Sequence, residues 1–217
     1  MFRLSTREAP GVSKQQRAED GGSGRAARPV RADAQRNIEA LLAAALEIFA
    51  TSGVDAPVRE IAAKAGVGLG TVYRHFPQRS DLIVAVFQHQ VDSCADAAAT
   101  LAASHAPGEA LALWMERYAE FIATKRGLAP ALHSGDPAYA PLPAYFDGRL
   151  LPALQGLLAA AAQAGEVPSH TAPDDLLRAV RSLCMSAQDD PGYVRRMIGL
   201  LVNGLRYAAG EGGPAPA

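Results

Sequence analysis

Between residues 69 and 75 the chain reads Leu-Gly-Thr-Val-Tyr-Arg-His, and almost every side chain in that run could touch a nucleic acid. The hydroxyls of Thr71 and Tyr73 and the imidazole of His75 can donate to phosphate oxygens, contacts that fix register on a duplex without reading sequence. Arg74 has the planar fork that pairs with guanine O6 and N7, and Leu69 has the apolar bulk that suits a thymine methyl. Gly70, with no side chain, would let the backbone come close to a groove. These are binding groups rather than reacting ones.

Residues that would do covalent chemistry are not arranged for it. His75, His89, His105, His133 and His170 show no metal-ligand spacing, and there is neither a CxxC pair nor a GxSxG nucleophile motif. Gly66-Val67-Gly68-Leu69-Gly70 superficially resembles a phosphate-cradling loop. Such loops follow a strand, whereas this one follows a helical stripe and lacks the GK[ST] ending. No cofactor is expected. An enzyme remains the more distant alternative, and a helical small-molecule-binding or scaffold protein without DNA affinity the nearer one.

The elements that must hold the 69–75 run are legible in the apolar spacing. Val58, Ile61, Ala62 and Ala65 fall at i, i+3, i+4 and i+7, one stripe of a short helix. Gly66 stands where a helix end needs a left-handed residue, and Val67 follows as the apolar pin of the turn. Val72 and Phe76, four apart, give the next helix its inward face, and Pro77 stops it. Upstream, Ile38, Leu41, Leu42, Ala45 and Phe49 form the stripe of a first helix that ends near Gly53. Two short helices joined by a glycine turn, braced by a third, make a helix-turn-helix, a shape that enters the major groove.

Residues 34 to 82 resemble the DNA-binding head of the TetR family of bacterial transcriptional regulators. Ala65-Gly66-Val67, Gly70-Thr71-Val72-Tyr73-Arg74-His75-Phe76 and the stretch from Arg79 to Leu82 carry the resemblance without a gap. It implies that Thr71, Tyr73 and His75 bind phosphates and that Leu69, Gly70, Tyr73 and Arg74 face bases. It also implies a phosphate contact from Arg79, at the start of the fourth helix. The chain departs from the family where a Thr often opens the second helix. Here the sequence is Ala56-Pro57-Val58, and Arg59 is the residue that could replace the lost hydroxyl contact.

The expected organisation is all-α: a basic, disordered arm over 1–33, the head over 34–82, a helical ligand-binding and dimerisation body over 83–209, and a disordered tail over 210–217. Arg25, Arg28 and Arg31 in the arm, with Arg31 nearest the head, could add phosphate or minor-groove contacts. Charge supports a DNA-facing head. Residues 1–90 hold 12 Lys and Arg against 9 Asp and Glu, whereas the remainder holds 9 against 13. Body helices are expected over about 79–102, 108–125, 144–164, 174–188 and 191–209, with a Pro- and Gly-broken region from 127 to 143. No stretch reaches the ~20 apolar residues of a membrane span. Cys94 and Cys184 read as small buried hydrophobes of a reduced, cytoplasmic protein.

Two expectations concern partners. Leu176, Leu177, Val180, Leu183 and Cys184 form one stripe near the C-terminus, and Val194, Met197, Ile198, Leu201, Val202 and Leu205 form another. The resemblance implies that this helix pair meets its twin in a homodimer, which would read a palindromic double-stranded operator. It also implies an enclosed small-molecule effector that releases the DNA, the behaviour of a repressor. Trp114, Met115, Tyr118, Phe121, His133, Tyr139, Tyr145, Phe146 and Met185 are the aromatic and soft residues that could line a site for an apolar or aromatic ligand.

Overall fold

A computed structural model describes residues 27–186 and 190–211, and every described element is helical or a turn. The helices are α1 (Ala27–Ser52), α2 (Val58–Ala65), α3 (Leu69–His75), α4 (Arg79–Ser104), α5 (Pro107–Thr124), α6 (Ala129–Leu132), α7 (Leu142–Gln163), α8 (Pro173–Ser186) and α9 (Pro191–Glu211), with 3-10 turns at Lys125–Leu128 and Pro137–Tyr139. The opening of α1, up to Arg36, belongs to one compact unit and Asn37 onward to another. Within the first, Arg36 pairs with Asp33.

The head is built as its apolar spacing requires. Leu41, Leu42, Ala45 and Phe49 of α1, Ile61 and Ala62 of α2, and Val72 of α3 are all buried. Ile38, Val58, Ala65, Val67 and Phe76 pack at the margin of the same core. Lys64 of α2 reaches Glu47 of α1 at 2.7 Å, an ion pair across the outside of that packing.

In the body, α4 lies against both α5 and α7, which also pack on each other; α8 and α9 both pack on α5, and α8 also meets α7. The inward stripe of α5 is complete: Leu111, Trp114, Met115, Tyr118, Phe121 and Ile122 are buried. The polar tips of its large residues are satisfied. The Trp114 indole donates to the Cys94 carbonyl at 2.9 Å, and the Tyr118 hydroxyl reaches the Leu177 carbonyl at 3.4 Å. On the outer edge of the α4–α7 contact, Asp92 accepts from the Tyr145 hydroxyl at 2.8 Å and from Arg149 Nε at 2.7 Å; Arg149 also reaches Asp96.

Gly127 is the close approach between body and head. A Cβ there would stand 2.6 Å from the Phe49 carbonyl oxygen and 3.1 Å from Ala50 Cα, so the 3-10 turn lies directly on the last turn of α1. Only glycine permits that spacing.

The terminal boundaries differ from expectation. Helix α1 begins at Ala27, so the last residues assigned to the arm are helical; Ala-rich sequence with Arg and Gln propagates a helix well even without an apolar stripe. Residues 1–26, Arg25 among them, lie outside the described residues, as do the side chains of Arg28 and Arg31. Helix α9 runs through Glu211, past the expected stop at 209, and residues 212–217 are likewise outside the description. Among the described residues, no helix is long and apolar enough to cross a membrane.

Candidate nucleic-acid interface

The turn between α2 and α3 depends on one backbone feature. Gly66 has φ 69°, in the left-handed region, and its N–H reaches the Ala62 and Ala63 carbonyls. The Val67 N–H then bonds back to the Ala62 carbonyl at 3.0 Å. This closes the end of α2 and turns the chain so that α3 starts at Leu69. A residue with a Cβ would be strained at Gly66.

Helix α3 has only seven residues, and they divide cleanly. Val72 is 1% exposed and holds the helix to the head core. Leu69 is 42% exposed and Tyr73 50%, values unusual for large apolar-bodied side chains that the fold could have covered. Gly70, Arg74 and His75 are also exposed, and Thr71 is half-buried. Of the six residues singled out from chemistry, five are exposed around the buried Val72 and Thr71 is half-buried. Arg59 is exposed on α2.

Arg79, the residue expected at a phosphate, is engaged within the fold: its guanidinium donates to the carbonyls of Val54, Asp55 and Ala56 in the α1–α2 loop. Those carbonyls have no helical partner, and a five-donor fork satisfies several of them at once. Helix α4 is otherwise started by Asp81, which accepts from the Gln78 N–H at 2.9 Å. In the free chain Arg79 ties the first turn of α4 to the loop ahead of the helix-turn-helix. Periodicity cannot show this, because the partners are backbone atoms more than twenty residues away.

The ligand-lining set separates in the structure. Trp114, Met115, Tyr118, Phe121 and Phe146 come together as a buried cluster. Trp114 and Tyr118 stack at 5.8 Å between centroids, and Phe121 and Phe146 lie 6.0 Å apart. Tyr139 is buried at the 3-10 turn, and Tyr145 is half-buried on Asp92. His133 and Met185 do not join. His133 is exposed, with Nδ1 2.8 Å from the Ala129 carbonyl of its own short helix. Met185 is 71% exposed, because the inward stripe of α8 is Leu176, Leu177, Val180 and Cys184, which leaves residue 185 facing out with Arg178 and Arg181.

One residue of this region escaped the sequence reading. Lys125 sits over the rings of Phe87, which lies beside Phe121, and of Phe146, with Nζ 5.2 Å from the first centroid and 5.4 Å from the second. A lone lysine at a helix end carries no sequence signal for such a position. An open cleft of about 160 Å³ lies apart from these rings, lined by residues of α7 and the following loop, including Gln155, Leu158, Pro168 and Thr171. Among the described residues no cluster of His, Cys, Asp and Glu could hold a metal ion.

A helix-turn-helix with an outward polar face, set on a helical body, is the architecture of a DNA-binding transcriptional regulator. Comparison with known proteins gives the family. The model for the tetR family of bacterial regulatory proteins matches residues 41–86, and that for the SbtR-like C-terminal domain of transcriptional regulators matches 106–207. The TetR transcriptional regulator SCO0520 from Streptomyces coelicolor is 35% identical, with 77% of this chain and 97% of that one covered and a TM-score of 0.68. A TetR transcription regulatory protein from Mycobacterium vanbaalenii is 37% identical, over 82% of this chain and 99% of that one, with a TM-score of 0.65. An HTH-type transcriptional regulator of Staphylococcus aureus (strain USA300) is 38% identical over 64 residues, 29% of this chain. The chain spans about a third of the length of that curated relative, 35%. This chain belongs to the TetR family of bacterial transcriptional regulators.

Proposed function

We propose that the protein is a homodimeric, sequence-specific DNA-binding repressor that leaves a palindromic operator when a small molecule occupies its body. The single observation that carries the DNA reading is the division of α3. Val72 at 1% exposure anchors a helix whose Leu69 and Tyr73 stand 42% and 50% exposed beside Gly70, Arg74 and His75. In this reading Thr71, Tyr73 and His75 take phosphates, with Arg59 and the arm residue Arg31 as further phosphate contacts. Leu69, Gly70, Tyr73 and Arg74 face the base edges.

The dimer reading is supported by the surface of the last two helices. Met185 and Leu200 are 71% and 62% exposed, and Tyr207 is 69% exposed. Among the described residues of α9 only Ile198 and Val202 are deeply buried; Val194, Met197, Leu201 and Leu205 are partly covered. A second copy of the α8–α9 pair would cover this face. A two-fold dimer would carry its recognition helices to half-sites about 34–36 Å apart.

Release follows from linkage. A ligand that prefers a body conformation with mismatched recognition helices must weaken operator binding, and operator must weaken ligand binding by the same factor. Two anchors connect body to head: Arg79 on the α1–α2 loop carbonyls, and Gly127 against Phe49 and Ala50.

Amide hydrogen exchange tests the DNA assignment without a known operator. Adding short mixed-sequence duplex at low salt should slow exchange over residues 58–76 and leave α5 unchanged. Protection confined to the body, or absent throughout, would contradict it and favour a helical binding protein without DNA affinity.

A further inference from the structure

Lys125 ends α5 and opens the 3-10 turn, and its ammonium faces the rings of Phe87 from α4 and Phe146 from α7. Phe121 lies within the same group, 6.2 Å from Phe87 and 6.0 Å from Phe146. Tyr118 joins it at 6.3 Å from Phe121 and 6.2 Å from Phe146. All four rings are buried. Among the described residues the ammonium meets ring faces and no carboxylate.

The charges around it do not compensate. Burial and the like charge of Arg181 on α8 both lower the Lys125 pKa. Arg181 also acts on the Tyr118 phenol, where Asp147 of α7 opposes it more weakly. If covering the rings were the only task, a Met or Leu would do it with no charge to desolvate. A half-buried cation set against ring faces with no carboxylate beside it gains from an arriving anion, and the rings offer apolar area to whatever carries that anion.

We propose that Lys125 is the anion-reading group of the effector site, which takes a small molecule bearing one carboxylate or sulfonate on an apolar body. The body of the ligand lies along Phe87, Phe121 and Phe146, opening the cluster as it enters. This rests on the reading of the helical body as an effector-binding domain and names the ligand class. The position also gives binding a consequence. Two residues beyond Lys125, Gly127 touches the last turn of α1, so an anion that draws the 3-10 turn inward moves a part in contact with the head.

The test uses the full chain and two fluorescent probes with one aryl framework: anilinonaphthalene sulfonate, which is anionic, and phenylnaphthylamine, which is neutral. The wild-type chain should bind the sulfonate about tenfold more tightly than the amine, about 1.4 kcal/mol. Lys125→Met should abolish that preference with amine binding unchanged, and Lys125→Arg should retain it. Should Lys125→Met fail to fold, Lys125→Gln makes the same comparison with a polar side chain. A wild-type chain with no preference, or a neutral variant that keeps it, would overturn the assignment. DNA binding separates this from the wider reading. Lys125→Met should bind mixed-sequence duplex as the wild type does, so failure of the probe test leaves the DNA-binding assignment standing. Absence of DNA binding by the wild type would remove that assignment and leave the probe result intact.

Discussion

At the scale of single residues, exposure and backbone partners assign different work to side chains of similar chemistry. Tyr73 is half exposed on α3, with nothing in the fold to explain its position there. Tyr73→Ala should lower DNA affinity about tenfold or more, on the order of 1.4 kcal/mol, with helicity and assembly unchanged. Unchanged affinity in an anisotropy titration would remove Tyr73 from the interface. Arg79 is the opposite case. Its hydrogen bonds to the Val54–Ala56 carbonyls predict that Arg79→Ala lowers stability by about 1–3 kcal/mol in urea melts, with an unchanged salt slope of DNA binding. A slope flatter by about one unit would instead place Arg79 on a phosphate. Cys94 carries a pH prediction. Desolvation pushes its thiol up from 9.0 to about 12, so the folded chain keeps a proton that the unfolded chain releases. That contribution to stability is full below about pH 9 and lost as pH rises toward 12. Urea midpoints measured upward from pH 8 should therefore fall; a Cys94→Ala variant whose midpoints fall equally would contradict the assignment.

The elements show where sequence is informative and where it stops. Stripes of Leu, Ile, Val and Phe at helical spacing mark α4, α5, α7, α8 and α9 to within a few residues, because burial of one face determines both pattern and fold. The segment from 125 to 141 has no such stripe. It resolves into two 3-10 turns and a four-residue helix held by glycine, proline and loop hydrogen bonds, and its role is visible only from what it touches. Gly127 is the clearest instance. A single added methyl would meet the Phe49 carbonyl at 2.6 Å, so Gly127→Ala should cost about 1–3 kcal/mol and change how ligand binding reaches the head. A variant with wild-type stability would show that the turn yields at no cost. The site divides in the same way. The outward face of α3 could be read from residue types, since polar groups beside a buried valine on a short helix leave few placements. The placements of Lys125, Arg79 and the outward Met185 could not, because they follow from tertiary neighbours.

For the whole molecule, the account depends on two copies acting together. Leu200 and Tyr207 on α9 and Met185 on α8 are exposed, and the proposed dimer would cover them. Leu200→Glu should raise the dimer dissociation constant at least about tenfold in sedimentation and weaken operator binding in parallel. A dimer that persists would move the interface elsewhere. The measurement that tests the central claim most directly is selection of bound sequences from a random double-stranded DNA library with the purified chain. The account predicts an enriched palindrome whose half-sites are spaced for two copies of α3. No enrichment at low salt, with the protein folded and free of ligand, would contradict it.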